Sequence, residues 1–349
     1  MAKSPKKAYG APVKDFFIEM LTRDITLEDC ILDLLDNCLD GAGRQLMGQK
    51  EDPATGKKYS GYSGYRADLV LKPEVFSITD NCGGLSVENA VNYAFHFGRP
   101  PDAPQDADFS IGLYGIGLKR AFFKIGKVLQ MHSSTSSDAF ETTIEVEKWA
   151  KIESWDFDLY ETAPEKSPGT TIKIIDLNDG VGEEFGDQKF INRLVKIISR
   201  DYSFFLQDGF EISVNSAPIN PYEFKLKESQ EFEPFKITLK TPKKEGESEK
   251  QPVIITISAG MADPPPDDES ADAPKTDYYG WFVSCNNRIV LAGDKTDKTV
   301  WGNEDFQRWH PQYNGFMGIV DFSSSDPKRL PWDTTKRVIV QRERLTSEG

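Results

Sequence analysis

The stretch 26–47, TLEDCILDLLDNCLDGAGRQLM, does most to limit what this chain can become. Leu27, Ile31, Leu34, Leu35 and Leu39 recur at helical spacing, so the segment is a helix with one apolar face, and Thr26 stands where an N-cap belongs. Asp33, Asn37 and Asp40 follow at i, i+4 and i+7, on nearly one side of that helix and next to the apolar stripe, while Asp36 points somewhat aside. Carboxylates and a carboxamide at the margin of a core are costly unless they meet a ligand, a metal or partners. The alternative is a helix with solvated acids, and DxxxNxxD alone does not choose between the two.

KDFFIEMLTRDI, residues 14–25, also has helical spacing. After the glycine- and tyrosine-rich GKKYSGYSGYRADLV comes VFSITD, an alternating run that stops at NCGG, so a strand delivers Asp80 to a tight turn. A short helical run near 87–97 precedes GRPPDAPQDADFS, a loop by composition, and then IGLYGIGLKRAFFKIG, a glycine turn opening a helix. With the alternating runs KVLQMHSS, FETTIEVE and GTTIKIIDL, this first unit reads as α+β, a sheet with helices on one face, ending near residue 185.

A length of 349 residues suggests two domains. The second, 186–349, runs from DQKFINRLVKIISRDYSFFL through EISVNSAPI, VIITISAG, WFVSCNNRIVL and GFMGIVDF to PWDTTKRVIV, again mixing helix and strand. Polar, acidic and proline-rich stretches near 241–251 and 261–277 read as exposed loops within it.

Hydrophobic residues at 38% and charged residues at 28% place the chain in the soluble globular class. A net charge of −14 disfavours nucleic acid as a partner without excluding it. No run approaches the ~18 apolar residues of a membrane span, and MAKSPKKAYG lacks the apolar segment of a signal peptide, so a cytoplasmic protein without a membrane partner is expected. Cys30, Cys38, Cys82 and Cys285 have neither CxxC spacing nor the density of a disulfide framework and read as reduced, mostly buried thiols.

In DNCGG, residues 80–84, a strand-end Asp followed by two glycines lets the backbone approach a flat ligand while the carboxylate accepts from an exocyclic amine, although such a stretch taken singly is usually just a turn. In GLYGIG, residues 112–117, three glycines precede a helix whose free N–H groups and positive dipole end form an anion cradle, and Lys119 adds a cation. The pattern GxxGxG is neither the dinucleotide fingerprint nor GxxxxGK[ST].

These elements in this order resemble the GHKL ATPase superfamily, which includes Hsp90, DNA gyrase B, MutL, the MORC proteins and sensor histidine kinases. The resemblance implies a Bergerat-type α/β sandwich, with ATP and Mg²⁺ as cofactors. It places the acid that orients the attacking water at Asp33, where the family usually has Glu, the Mg²⁺ ligand at Asn37, and Asp40 beside the nucleotide. It assigns the adenine amino group to Asp80 and the base pocket to Gly84, with Cys82 standing where glycine is usual. The region 86–111 would be the ATP lid, and Gly112, Tyr114, Gly115, Ile116, Gly117, Leu118 and Lys119 would surround the phosphates. GTTIKI would supply the threonine that works with Asp80 through water, Thr170 or, alternatively, Thr171.

VSCNNRIV and LPWDTTKRV resemble the end of a ribosomal S5-like transducer domain, which makes Lys336 the lysine that reaches the γ-phosphate and stabilises charge developing there. Without the resemblance Lys336 is an exposed lysine after a turn, and Asn287 and Arg288 are structural. His96, His132 and His310 all lie away from the Asp33 helix, which counts against a kinase. AYGAPVKDFFIEMLTRDI, DLLDNCLDGA and GLYGIGLKRAFFKIG are together most similar to the bacterial MORC-like and Hsp90-like proteins. The expected function is a slow Mg²⁺-dependent ATPase acting as an ATP-gated homodimeric clamp, joined through N-terminal segments. The alternative is an ATP-sensing protein-interaction module with little hydrolysis, and a more remote one is DNA clamping. RVIVQRERLTSEG stops soon after the lysine loop, so a longer protein with a C-terminal effector is also an expectation.

Overall fold

The computed structural model describes residues 8, 10, 12–48, 61–98, 100, 110–112, 115–230, 233–241, 252–262, 278–303, 306–332 and 336. Helices α1 (Lys14–Thr22) and α2 (Leu27–Gly48) lead into the antiparallel strands β1 (Arg66–Lys72) and β2 (Val75–Asp80). At the start of α2 the Thr26 hydroxyl accepts from the Asp29 amide at 3.2 Å, while the Asp29 carboxylate accepts from the Thr26 amide at 3.3 Å, a reciprocal cap that fixes where the helix begins.

One turn of helix, α3 (Val87–Asn89), continues as a π-helical stretch, Ala90–Ala94, and α4 (Gly117–Ile125) follows. The chain then forms β3 (Gly126–Ser134), β4 (Ala139–Glu145), α5 (Val146–Lys151), β5 (Tyr160–Thr162) and β6 (Gly169–Leu177), and next α6 (Val181–Gly186), α7 (Gln188–Asp201), α8 (Ser203–Gln207), β7 (Glu211–Val214) and β8 (Ala217–Pro218). These strands make one mixed sheet of order β5-β4-β3-β6-β2-β1-β7-β8.

Among the described residues, only one face of this sheet is covered. Leu69, Phe76, Ile78, Leu129, Ile144, Ile172 and Ile174 are buried, whereas their neighbours Thr79, Gln130, Thr143 and Lys173 are exposed on the other side. Helix α2 supplies Ile31, Leu34, Leu35 and Leu39 to the same core, each at most 2% exposed. Burial of each contributes about 1.5–3 kcal/mol, which is what holds the helix on the sheet.

The division expected near residue 185 does not match the edge of this sheet. Helices α7 and α8 bring the chain back to β1, and β7 pairs with it in parallel, so 188–218 belong to the first sheet. Parallel pairing needs a crossover connection, and a strand four residues long carries little periodicity by which to assign it.

The remaining strands, β9 (Phe235–Lys240), β10 (Ile254–Met261), β11 (Gly280–Cys285), β12 (Arg288–Asp294) and β13 (Phe316–Ser323), form a second sheet of order β12-β11-β13-β10-β9, in which only β11 and β13 run parallel. Asn286 and Asn287 join β11 to β12 with φ of 49° and 66°, a two-residue turn in which both positions need the left-handed region that asparagine tolerates. That turn aims Arg288 at the first sheet. The architecture is therefore α+β, a mixed sheet with helices on one face, followed by a second, β-rich unit.

Candidate functional site

A cavity of about 580 Å³ opens between α2, the end of β2, the π-helical stretch, the start of α4 and β6, a volume in the range of small-ligand sites. Asp33, Asn37, Asp40, Asp80, Gly84, Gly112, Gly115, Ile116, Gly117, Leu118, Lys119, Thr170 and Lys336 all line it. Tyr114 lies outside the described residues, as do 99 and 101–109 of the segment expected to form a lid.

At one end, Asp80 terminates β2. Its Oδ1 accepts from the Cys82 amide at 2.7 Å, and its Oδ2 lies 3.6 Å from Cys38 Sγ. Burial pushes the Asp80 carboxyl up, and the amide opposes it. Thr171 pairs with Thr79 on the exposed side, their hydroxyls 3.2 Å apart, whereas Thr170 faces the cavity with its hydroxyl 2.8 Å from that of Ser133. Strand alternation thus separates the two threonines that the sequence left open. Gly84 sits at φ +70°, and a Cβ there would stand 2.0 Å from the Ser134 carbonyl oxygen, so this wall admits only glycine.

Along α2 the polar residues have different surroundings. Asn37 is exposed to the cavity, and its carboxamide has no hydrogen-bond partner among the described residues. Asp40 accepts from the amides of Ile111 and Gly112 at 2.7 and 2.6 Å, so it tethers the segment entering the glycine turn. Burial pushes the Asp40 carboxyl up, and the two amides only partly offset this.

In the glycine turn, Gly115 has φ +66°, and Gly117 opens α4 so close to α2 that a Cβ would lie 3.2 Å from Asp33 Cβ. The first amides of α4 have no partners within the helix and border the cavity. Lys119 is only 1% exposed and donates to the carbonyls of Ala94, at 2.7 Å, and Gly115. Burial pulls its ammonium down to about 7.

Behind the glycine turn lies a buried charge network that joins the two sheets. Arg120 Nη2 donates to Asp33 Oδ2 at 2.5 Å, and Lys336 Nζ lies 3.7 Å from Asp33 Oδ1. Asp36, aside from the face that carries Asp33, Asn37 and Asp40, is 1% exposed and accepts from Lys336 at 2.5 Å, the Tyr202 hydroxyl at 2.8 Å and Arg288 Nε at 3.3 Å. Arg288 also meets Asp201 at 3.1 Å and lies 4.3 Å from the centroid of the Tyr202 ring. Burial would push the Asp36 carboxyl up, but Lys336 and Arg288 prevail and hold it below the usual carboxylate range. Burial likewise acts to lower Lys336, and Asp36 with Asp33 holds it above the ordinary lysine value.

Asp36, Arg120, Tyr202 and Arg288 were not singled out from the sequence as site residues. Among them only Arg120, directly after Lys119 in the glycine-turn helix, carried a local signal.

Residues 25–175 match the family model described as histidine kinase-, DNA gyrase B-, and HSP90-like ATPase. That segment is a GHKL-superfamily ATP-binding domain. No curated protein matches the chain in sequence. Among the described residues no helix is long and apolar enough to cross a membrane.

Proposed function

We propose that this protein binds ATP with Mg²⁺ and hydrolyses it slowly, as an ATP-gated clamp of the MORC-like or Hsp90-like kind whose second unit acts as an S5-like transducer. The observation that supports this best is the convergence on one cavity of an adenine-type corner, Asp80 with Thr170 and Gly84, a glycine turn whose first helix amides have no partners within α4, and the exposed Asn37. Adenine would pair with Asp80, and the phosphates would lie along Gly112, Gly115 and Gly117. No group of three His, Cys, Asp or Glu residues among those described is disposed to hold a metal. Mg²⁺ suits such a site, because it binds commonly through one or two protein oxygens together with phosphate. The Asn37 carboxamide, having no partner among the described residues, is the group that would hold it, and the ion would neutralise phosphate charge.

Asp33 would take the proton of the attacking water, and Lys336 would face the terminal phosphate. Val13, which caps α1, and Phe16 and Met20 on it leave an apolar stripe that is 70, 58 and 56% exposed, which supports association of two copies through this end. The Arg120 ion pair favours the second reading, an ATP-sensing module that binds a protein partner and scarcely hydrolyses, because it engages the carboxylate that would act as base.

Titration of purified protein with ATP and Mg²⁺, followed by phosphate release compared with Lys336→Ala, separates these readings. Binding with release above that control supports the ATPase. Binding without it leaves the sensor, and no binding overturns both.

A further inference from the structure

The charge network contains a residue whose contacts suit a role that resemblance does not supply. Asp36 stands three residues after Asp33 on α2, yet its partners are Tyr202 at the junction of α7 and α8, Arg288 at the start of β12 in the second sheet, and Lys336, 300 positions further along the chain. Lys336 borders the same cavity as the glycine turn, and its ammonium lies 2.5 Å from Asp36 Oδ2. The Lys336 backbone has φ +55°, a left-handed conformation that a lysine seldom adopts and that costs about 1–2 kcal/mol. The ion pairs with Asp36 and Asp33 offset that cost.

We propose that Asp36 is a positioning residue that competes with the nucleotide's terminal phosphate for Lys336 and so sets how strongly the site prefers triphosphate to diphosphate. The inference rests on the reading that Lys336 faces that phosphate. Its physical basis is the distribution of partners. The other Asp36 oxygen already accepts from Tyr202 and Arg288, at 2.8 and 3.3 Å, so Lys336 can leave without stranding a buried carboxylate. Asp33 likewise keeps Arg120 at 2.5 Å. An ammonium shared by Asp36 and a phosphate binds the phosphate more weakly by whatever free energy the Asp36 contact contributes. A diphosphate that does not reach Lys336 leaves this contact alone, so only the triphosphate is penalised.

The experiment measures Kd for ATP and for ADP, each with Mg²⁺, in wild type, Asp36→Asn, Lys336→Gln and the double variant. The ADP/ATP ratio of Kd values cancels any general damage to the pocket, which a purely structural role would cause. Asp36→Asn is expected to raise that ratio by about fivefold, and to leave it unchanged when Lys336→Gln is already present. An unchanged or lower ratio in Asp36→Asn, with Lys336→Gln still lowering it, overturns the role of Asp36 and spares the proposed function. A ratio that Lys336→Gln does not alter overturns the Lys336 contact and the competition with it, and absence of ATP binding in wild type overturns the proposed function as well.

If Asp36→Asn does not fold, Tyr202→Phe tests the same point without removing a charge. Losing the hydroxyl leaves Asp36 a stronger acceptor for Lys336, so the ratio is expected to fall by about twofold. A ratio that stays level or rises overturns the proposal.

Discussion

Asp33 and Arg120 meet at 2.5 Å with both side chains at most 9% exposed, so the acid expected to activate water is also half of a buried ion pair. Breaking a buried pair costs about 3–5 kcal/mol when one charge is left uncompensated. Here Lys336 at 3.7 Å moderates the loss from the Asp33 side. Asp33→Ala, which leaves the buried Arg120 guanidinium without this carboxylate, is expected to lower unfolding stability by about 3 kcal/mol in urea titration. It should abolish phosphate release while ATP still binds, and unchanged release would remove Asp33 from the mechanism. Asp33→Glu, which carries the carboxylate one methylene further, is expected to raise turnover by about tenfold or more.

Asn37 gives the opposite pattern. Its side chain is exposed and meets no described partner, so Asn37→Ala should shift stability by no more than about 0.5 kcal/mol. Its effect belongs to binding, where calorimetry with Mg²⁺ is expected to show at least a tenfold loss of ATP affinity, or about 1.4 kcal/mol. Equal affinities with and without the carboxamide would exclude it as the metal-holding group.

The corner proposed to hold adenine is enforced by backbone. Gly84→Ala would add a methyl at φ +70° and 2.0 Å from a carbonyl oxygen that cannot give way without moving β3. A loss of about 1–3 kcal/mol is expected from the strain, together with weakened binding of adenosine itself, which has no phosphates. Retained adenosine binding in this variant would place the base elsewhere.

Lys119 makes stability depend on pH with a definite sign. Its ammonium titrates near 7 in the folded protein, against an ordinary value of 10.5. Between those values the unfolded chain binds the extra proton, so stability rises with pH across that window. Relative to Lys119→Met, wild type is expected to gain on the order of 3 kcal/mol between pH 7 and pH 10 in paired urea titrations. Parallel profiles for the two proteins would mean that Lys119 stays charged.

The sequence made the first unit legible wherever contacts are local. The α2 periodicity, the strand ending at Asp80 and the glycine turn before α4 are each read within one short segment, and their residues meet in one cavity. Asp36 was not legible because its partners Tyr202, Arg288 and Lys336 stand 166, 252 and 300 positions away, and no periodicity encodes such pairings. The run EISVNSAPI reads as part of the second unit; the membership of β7 in the first sheet escaped for a related reason, since its parallel partner β1 lies far back in the chain. Lys119 looked like a free cation after a glycine turn. Its inward course depends on the Ala94 carbonyl, placed by a π-helical stretch that local propensity does not announce.

Asp33, Asp36 and Asp40 fall on successive turns of α2 and hold, in order, α4, the second sheet and the segment entering the glycine turn. Seven residues of helix span about 10 Å, so one stiff ruler sets the spacing of all three attachments. A change that bends or lengthens that ruler, such as a proline or an inserted residue between 33 and 40, therefore acts on Asp33, the joint between sheets and the glycine turn together. None of the three can be re-spaced by itself.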